Sequence, residues 1–267
     1  MRSIQKLSSM EGRVSLITGG AGHIGSAMAE ALAEAGSNLV LLDLDEARCR
    51  EAAERLATQH NVEVVPQVLD LVDEQALRAV PAQIEERFGR LDTLINCAAL
   101  VGTSALEGWA VPFADQSADT WRLALETNLT SPFVLAQACA PLLTKTKGSI
   151  INVASIYGML GPNMRLYDDA PGMGNPGAYA ASKGGLIQLT RWLSTTLAPA
   201  VRVNSISLGG VWRGQDEKFV ERYVDKTPMG RMATEEDLKG AALFLSSDLS
   251  LYVTGHNLVV DGGWTAW

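Results

Sequence analysis

The stretch Val14-Ser15-Leu16-Ile17-Thr18-Gly19-Gly20-Ala21-Gly22-His23-Ile24-Gly25 passes from a short apolar run through a glycine-rich turn into an Ala-rich helical segment, Ile24 to Ala35. Glycines allow a backbone to turn tightly and to approach a diphosphate with no side chain in the way. A helix that starts at such a turn adds free N–H groups and a partial positive charge. The strand before and the helix after give the turn its meaning, because glycine-rich turns alone are common. Gly19, Gly22, His23, Ile24 and Gly25 are therefore candidates to hold the phosphates of a dinucleotide.

Outward from this unit the chain alternates strand and helix to its end. Asn38–Leu42, Val62–Leu69, Leu91–Asn96, Ser149–Ala154, Val201–Ile206 and Asn257–Val260 read as further strands. Asp45–Gln59, Glu74–Arg87, Ala118–Leu143, Ala178–Ala198 and Thr234–Ser246 read as helices. Strands that are apolar throughout and separated by helices indicate a parallel sheet covered on both faces. The expected fold is a single α/β domain over residues 1–267, a doubly wound Rossmann-type sheet of about seven strands. Three irregular or charged segments, at about residues 100–117, 156–177 and 212–231, follow the carboxyl ends of strands, where open α/β sheets bind ligands. The third reads as carrying a mobile helix.

With 267 residues, 47% hydrophobic and 19% charged, the chain has material for one large core, which argues against disorder. Thirty acidic residues against twenty-two basic ones give a net charge of −8 and argue against a nucleic-acid partner. They do not exclude anionic substrates, since a few local arginines can override the global sign. No apolar run reaches the ~18 residues of a membrane span, and Met1 to Gly12 lacks the apolar core of a secretory signal. Cys49, Cys97 and Cys139 are dispersed and read as free thiols in a reducing cytoplasm. His23, His60 and His256 show no ligand spacing, so no metal site is expected. The tryptophans read as core or interface residues, with Trp212 the one to watch.

Asp43 ends the second strand, where a carboxylate can accept hydrogen bonds from the adenosine ribose hydroxyls and repel a 2′-phosphate. No cation lies near it in the sequence, so NAD is the expected cofactor; the next acid, Asp45, is the better helix cap. Asp70 and Leu71 follow the third strand, beside the expected adenine. Asn96 and Ala98 follow the fourth, beneath the ribose. Tyr179 and Lys183 stand at i and i+4 on one helix face, a spacing at which an ammonium favours the phenolate and brings the phenol toward working pH. Such a phenol can exchange a proton with an alcohol while hydride moves. Ser155, directly after the fifth strand, can polarise a carbonyl. Asn128 is a poor helix former inside a long helical segment, a misfit that suggests support for a proton-relay water.

Together these residues resemble the short-chain dehydrogenase/reductase family over nearly the whole chain, in its single-domain branch. The resemblance implies catalytic Asn128, Ser155, Tyr179 and Lys183, with Tyr179 and Lys183 also touching the cofactor. It implies nicotinamide contacts at Gly210 and Val211, a small-molecule substrate and a homo-oligomer, tetramer or dimer, with Thr254 to Gly263 near the subunit contacts. Four features depart from the family pattern. His23 stands where a glycine is usual, so that the spacing Gly19, Gly22, Gly25 is similar to the longer sugar-epimerase branch. Cys97 and Ala99 vary a conserved turn. Arg213 replaces the threonine that commonly holds the nicotinamide amide. Ser155 and Tyr179 are 24 residues apart, about twice the usual separation. The added loop holds Tyr157, Asn163, Arg165, Tyr167, Asp168 and Asp169 and would fold over the site. With Asn175-Pro176 before the tyrosine and Leu186 to Arg191 after it, the loop resembles the flagellin-modification oxidoreductases of sugar pathways, which would imply a sugar or amino-sugar precursor. A reductase of lipid or aromatic ketones, a dinucleotide sensor without turnover, and a structural subunit remain as alternatives.

Overall fold

In β1 (Val14–Thr18) every residue is buried and consecutive side chains leave on opposite faces, so Leu16 enters one hydrophobic layer and Ile17 the other. The computed structural model describes residues 1–170 and 173–267. β2 (Asn38–Asp43) and β4 (Thr93–Asn96) flank β1, with Leu16 opposite Val40 and Leu94. β5 (Ser149–Ser155), β6 (Arg202–Leu208) and β7 (Asn257–Val260) extend one side, and β3 (Val64–Val68) closes the other. The order is β3-β2-β1-β4-β5-β6-β7, all parallel. This is the doubly wound architecture expected from the sequence. β3 is an edge strand, which is why Pro66 is tolerated in it: one side of an edge needs no N–H donor.

Helices α2 (His23–Glu34), α3 (Glu46–His60) and α9 (Glu236–Ser246) cover one face through Met28, Leu32, Leu56 and Leu245. The opposite face carries α4 (Glu74–Phe88), α6 (Ser131–Thr146) and α7 (Gly177–Leu197), with Val80, Leu135, Leu142 and Leu193. Each such side chain contributes roughly 1.5–3 kcal/mol by leaving water. Among the described residues no helix is long and apolar enough to cross a membrane.

Strand order reverses between β1 and β4, so their onward connections diverge and open a crevice at the carboxyl edge. Thr18 ties the crevice together: its Oγ1 accepts the N–H groups of Cys97 and Ala98 at 3.0 and 3.1 Å.

Two expectations are corrected. The single helix from Ala118 to Leu143 is interrupted. α5 (Ala118–Leu125) passes through a π-turn, Glu126–Thr130, before α6 begins. The Ser131 N–H reaches back five residues to the Glu126 carbonyl, and the Ser131 hydroxyl donates to the Thr127 carbonyl at 2.7 Å. The misfit at Asn128 thus marks a π-turn, a feature frequent at functional sites. A short helix, α1 (Ile4–Ser8), forms where none was expected. The segment expected to carry a helix holds α8 (Glu217–Asp225), with Phe219 and Tyr223 buried.

The glycine turn closes on itself. A Cβ on Gly25 would stand 2.1 Å from the Gly19 carbonyl oxygen, a backbone atom that cannot step aside. Gly25→Ala is therefore expected to lower stability by roughly 1–3 kcal/mol in urea denaturation, the cost of overpacking a tight contact. An unchanged midpoint would show that the turn is not so constrained.

Candidate active site

Helix α2 starts without a side-chain cap, because its N-cap is Gly22. Its first amides are thus open to an anion. Gly19 has φ +65°, and a Cβ there would lie 2.9 Å from the Ala98 Cα, so the ends of β1 and β4 meet backbone to backbone. Asn96 donates to Asn152 at 2.8 Å and leaves its own buried Oδ1 without a partner among the described residues. An uncapped helix start, a glycine-lined crevice and an orphaned acceptor fit a dinucleotide. Gly19, Gly22, His23, Ile24 and Gly25 would hold its phosphates.

Asp43 does more than await a ribose. Its Oδ2 accepts the Ala21 N–H at 3.0 Å and its Oδ1 the Asp45 N–H at 3.2 Å, so the carboxylate buttresses the turn. Asp45 is the cap of α3, accepting from Arg48 N. The expectation that no cation lies near Asp43 is corrected. That cap places Arg48 in the first turn of α3, where side chains lean back toward the N-terminus, and its guanidinium donates to the Ala21 carbonyl at 3.3 Å. Asp70, exposed, and Leu71, half-buried, follow β3 at the same edge.

The second half of the site gathers in a cleft of about 210 Å³ that includes Ile24, Ser155, Tyr179, Lys183, Gly210 and Val211. Ser155 ends β5 and its Oγ accepts the Tyr157 N–H at 3.2 Å. Tyr179 lies in the first turn of α7, and Lys183 one turn later is buried with Nζ 2.7 Å from the Val153 carbonyl and 5.9 Å from the Tyr179 ring centre. Asn128 is fully buried. Its Oδ1 accepts Leu100 N–H at 2.8 Å, and its Nδ2 donates to Leu100 O at 3.0 Å and Ser182 Oγ at 3.1 Å. It therefore clamps the loop after β4 to α7, beside Lys183, with its side chain wholly occupied.

The electrostatics differ from the expectation that Lys183 alone readies the phenol. Burial raises the Tyr179 pKa; the Ser155 hydroxyl and, after it, the Arg213 charge pull the other way. Lys183 is itself pushed down to about 8 by burial. Burial thus separates the two groups in proton affinity: the phenol holds its proton more firmly, and the ammonium gives its own up more readily.

The loop with the extra residues contributes Tyr157, Tyr167 and Asn175 to the cleft, as expected for part of it, and Tyr167 donates to the Tyr157 hydroxyl at 3.1 Å. Asn163 instead caps a short turn, and Asp169 faces Lys218 and Arg222 on α8. Residues 171 and 172 of that loop lie outside the described residues. Phe219, Tyr223 and Met232 complete the wall, and sequence reading missed them because only tertiary packing turns α8 inward. Trp212 is exposed, whereas Arg213 lines the cleft. Away from the site, Glu30, Glu34 and His60 bring potential metal donors within 4.8 Å, but Arg55 and Lys239 already pair with these carboxylates.

The burial of Lys183 has a pH signature. Below about pH 8 both folded and unfolded chains hold the proton, and the cost of burying the charge is fully present. Between about 8 and the ordinary 10.5 the folded chain has released it and the unfolded chain has not, so stability from this group rises with pH. Denaturation of wild type and Lys183→Met should show their stability difference shifting in favour of wild type across that window. A flat difference would mean that the ammonium is not desolvated.

Residues 19–265 match the family model described as enoyl-(acyl carrier protein) reductase. The trans-4-hydroxycyclohexanecarboxylate dehydrogenase of Sinomonas cyclohexanicum is 35% identical over 260 residues, covering 95% of this chain and 93% of that one. A gluconate 5-dehydrogenase from Burkholderia cenocepacia in complex with NADP and tartrate superposes with TM-score 0.87 at 28% identity, covering 99% of this chain and 100% of that one. A short-chain dehydrogenase from Leptospira borgpetersenii with bound NAD+ gives 0.84 at 32% identity, covering 99% and 96%. The chain belongs to the short-chain dehydrogenase/reductase family, oxidoreductases that bind a nicotinamide dinucleotide.

Proposed function

We propose that the protein is an NAD(H)-dependent oxidoreductase that moves hydride between nicotinamide and a secondary alcohol or ketone, with Tyr179 as acid and base. The observation that carries this reading is the meeting of Ser155, Tyr179 and Lys183 on one cleft wall that continues into the glycine-lined crevice. Nicotinamide, when bound, supplies or accepts the hydride. In reduction, the Ser155 hydroxyl steadies the carbonyl oxygen and the Tyr179 phenol gives its proton to the oxygen as negative charge develops there. Lys183 then supports the phenolate until a proton returns, and Asn128 holds the Leu100 loop and Ser182 so that this wall keeps its shape. In oxidation the same groups run in reverse.

Asp43 supports NAD over NADP, since a 2′-phosphate would meet a carboxylate. Arg48 tempers that preference from the other side of the turn. The polar groups of the inserted loop, Tyr157, Tyr167 and Asn175, support a hydroxylated substrate such as a sugar or amino-sugar precursor. Relatives named for a hydroxycyclohexanecarboxylate and for gluconate fit a hydroxylated skeleton. Met173, Phe219 and Met232 favour an apolar ring or chain instead, the reading of a lipid or aromatic ketone reductase. Exposed Trp121, Phe133 and Trp192 on α5, α6 and α7 support contacts between subunits of a dimer or tetramer.

Tyr179→Phe should retain NADH binding by fluorescence titration yet lose roughly 10²–10⁴-fold in turnover on a panel of cyclic alcohols, polyols and ketones. Undiminished turnover would exclude the tyrosine, and NADH binding without turnover of any panel member by the wild type would favour a sensor. Asp43→Asn, which keeps an acceptor for Ala21, should shift the ratio of kcat/KM for NAD over NADP toward NADP by about tenfold or more. An unchanged ratio would remove Asp43 from cofactor selection.

A further inference from the structure

The protein carries a net charge of −8, yet the lining of its cleft contains two cations, Lys183 and Arg213, and no carboxylate among the described residues. Lys183 is committed to the Val153 carbonyl. Arg213 is not. Its backbone N–H is held by Gln215 at 2.6 Å, which fixes where the side chain starts. Its guanidinium makes no hydrogen bond among the described residues, and its nearest carboxylate, Glu235, stands 4.0 Å from Nε. An arginine presents five donors in a planar fork that suits a carboxylate or phosphate, and at 32% side-chain exposure this one lines the cleft while staying open to an entering anion.

We propose that Arg213 is the substrate's anion anchor: the cleft takes an alcohol or ketone whose carbon skeleton also bears a carboxylate or phosphate. The inference rests on the oxidoreductase reading and adds the substrate class. Charge placement favours the substrate over the cofactor's diphosphate as the source of that anion. Glu235 lies between Arg213 and His23, 3.7 Å from the imidazole, so the side of Arg213 toward the glycine turn already faces negative charge. On the other side the guanidinium acts on the Tyr179 phenol, where the reacting oxygen belongs. Beyond Tyr179 the wall is built of Tyr157, Tyr167, Met173, Phe219 and Met232, a surface for an apolar or ring-shaped body. Asn175 adds an acceptor: it is 8% exposed, lines the cleft and has an Oδ1 without a partner among the described residues, suited to a second hydroxyl or an amine. A cation-lined cavity in an acidic protein also concentrates anions locally.

The test is calorimetric binding to the enzyme saturated with NADH, using cyclohexanecarboxylate and cyclohexanecarboxamide, which share a ring and differ in charge. The carboxylate should bind at least about tenfold more tightly than the amide. Arg213→Gln should erase the difference, Arg213→Lys should keep part of it, and NADH affinity by nicotinamide fluorescence should stay within about threefold in both variants. Equal affinities, no detectable binding of either probe, or a preference that survives Arg213→Gln would overturn the proposal. So would a preference lost together with NADH affinity, which would assign the arginine to the diphosphate. Because binding is read rather than turnover, this outcome is independent of whether Tyr179 performs the chemistry.

Discussion

A buried ammonium fixes the geometry of this protein's reaction centre. Lys183 Nζ donates to the Val153 carbonyl at 2.7 Å and so locks α7 against β5. Four residues along a helix rise about 6 Å, and two residues along a strand advance about 6.6 Å. With Lys183 docked at Val153, Tyr179 one helical turn earlier is therefore brought level with Ser155, two strand residues later. The two hydroxyls meet because the two periodicities nearly coincide. Burying a charge is expensive, and the depressed proton affinity of Lys183 records that cost. The same desolvation makes the lysine a group that can release a proton near working pH.

The remainder of the fold delivers ligands to that point. Parallel strands reverse order beside β1, and the crevice between β1 and β4 is kept narrow by Thr18 and by glycine. Backbone amides at the uncapped start of α2 suit phosphates without adding cations. Two cations, Lys183 and Arg213, line the cleft with Tyr179, while Arg48 stands at the glycine turn. A net charge of −8 and a cation-lined cleft are consistent, because the local charge of the cleft rather than the net charge acts on what enters.

Much of this was legible in the residues. Most strands of the sheet are runs rich in apolar residues, although β6 interleaves Arg202, Asn204, Ser205 and Ser207, and the glycine turn lies between the first strand and helix as its spacing requires. Tyr179, Lys183 and Ser155 converge as helix and strand periodicity suggest. What escaped depends on side-chain direction or on partners distant in sequence. Arg48 is 23 residues beyond Gly25, the last expected phosphate contact (48 − 25), and reaches the turn because Asp45 caps α3. The π-turn was visible only as an awkward asparagine, since nothing local shows that Asn128 will bond to Leu100 and Ser182. The inward faces of α8 and of the inserted loop are set by an aromatic cluster, Tyr157, Tyr167, Phe219, Tyr223 and Trp264, assembled from three separate segments. Arg213 departs from the family pattern, and its place in the cleft wall depends on the turn that Gln215 closes on its backbone N–H.

The most direct test of the central claim is a crystal structure of the complex with NADH. The Tyr179 and Ser155 hydroxyls should converge on one point above the hydride-bearing carbon of nicotinamide, about 3 Å from each, where a substrate oxygen would sit. A phenol turned instead toward Tyr157 and Tyr167, out of reach of that carbon, would contradict the account.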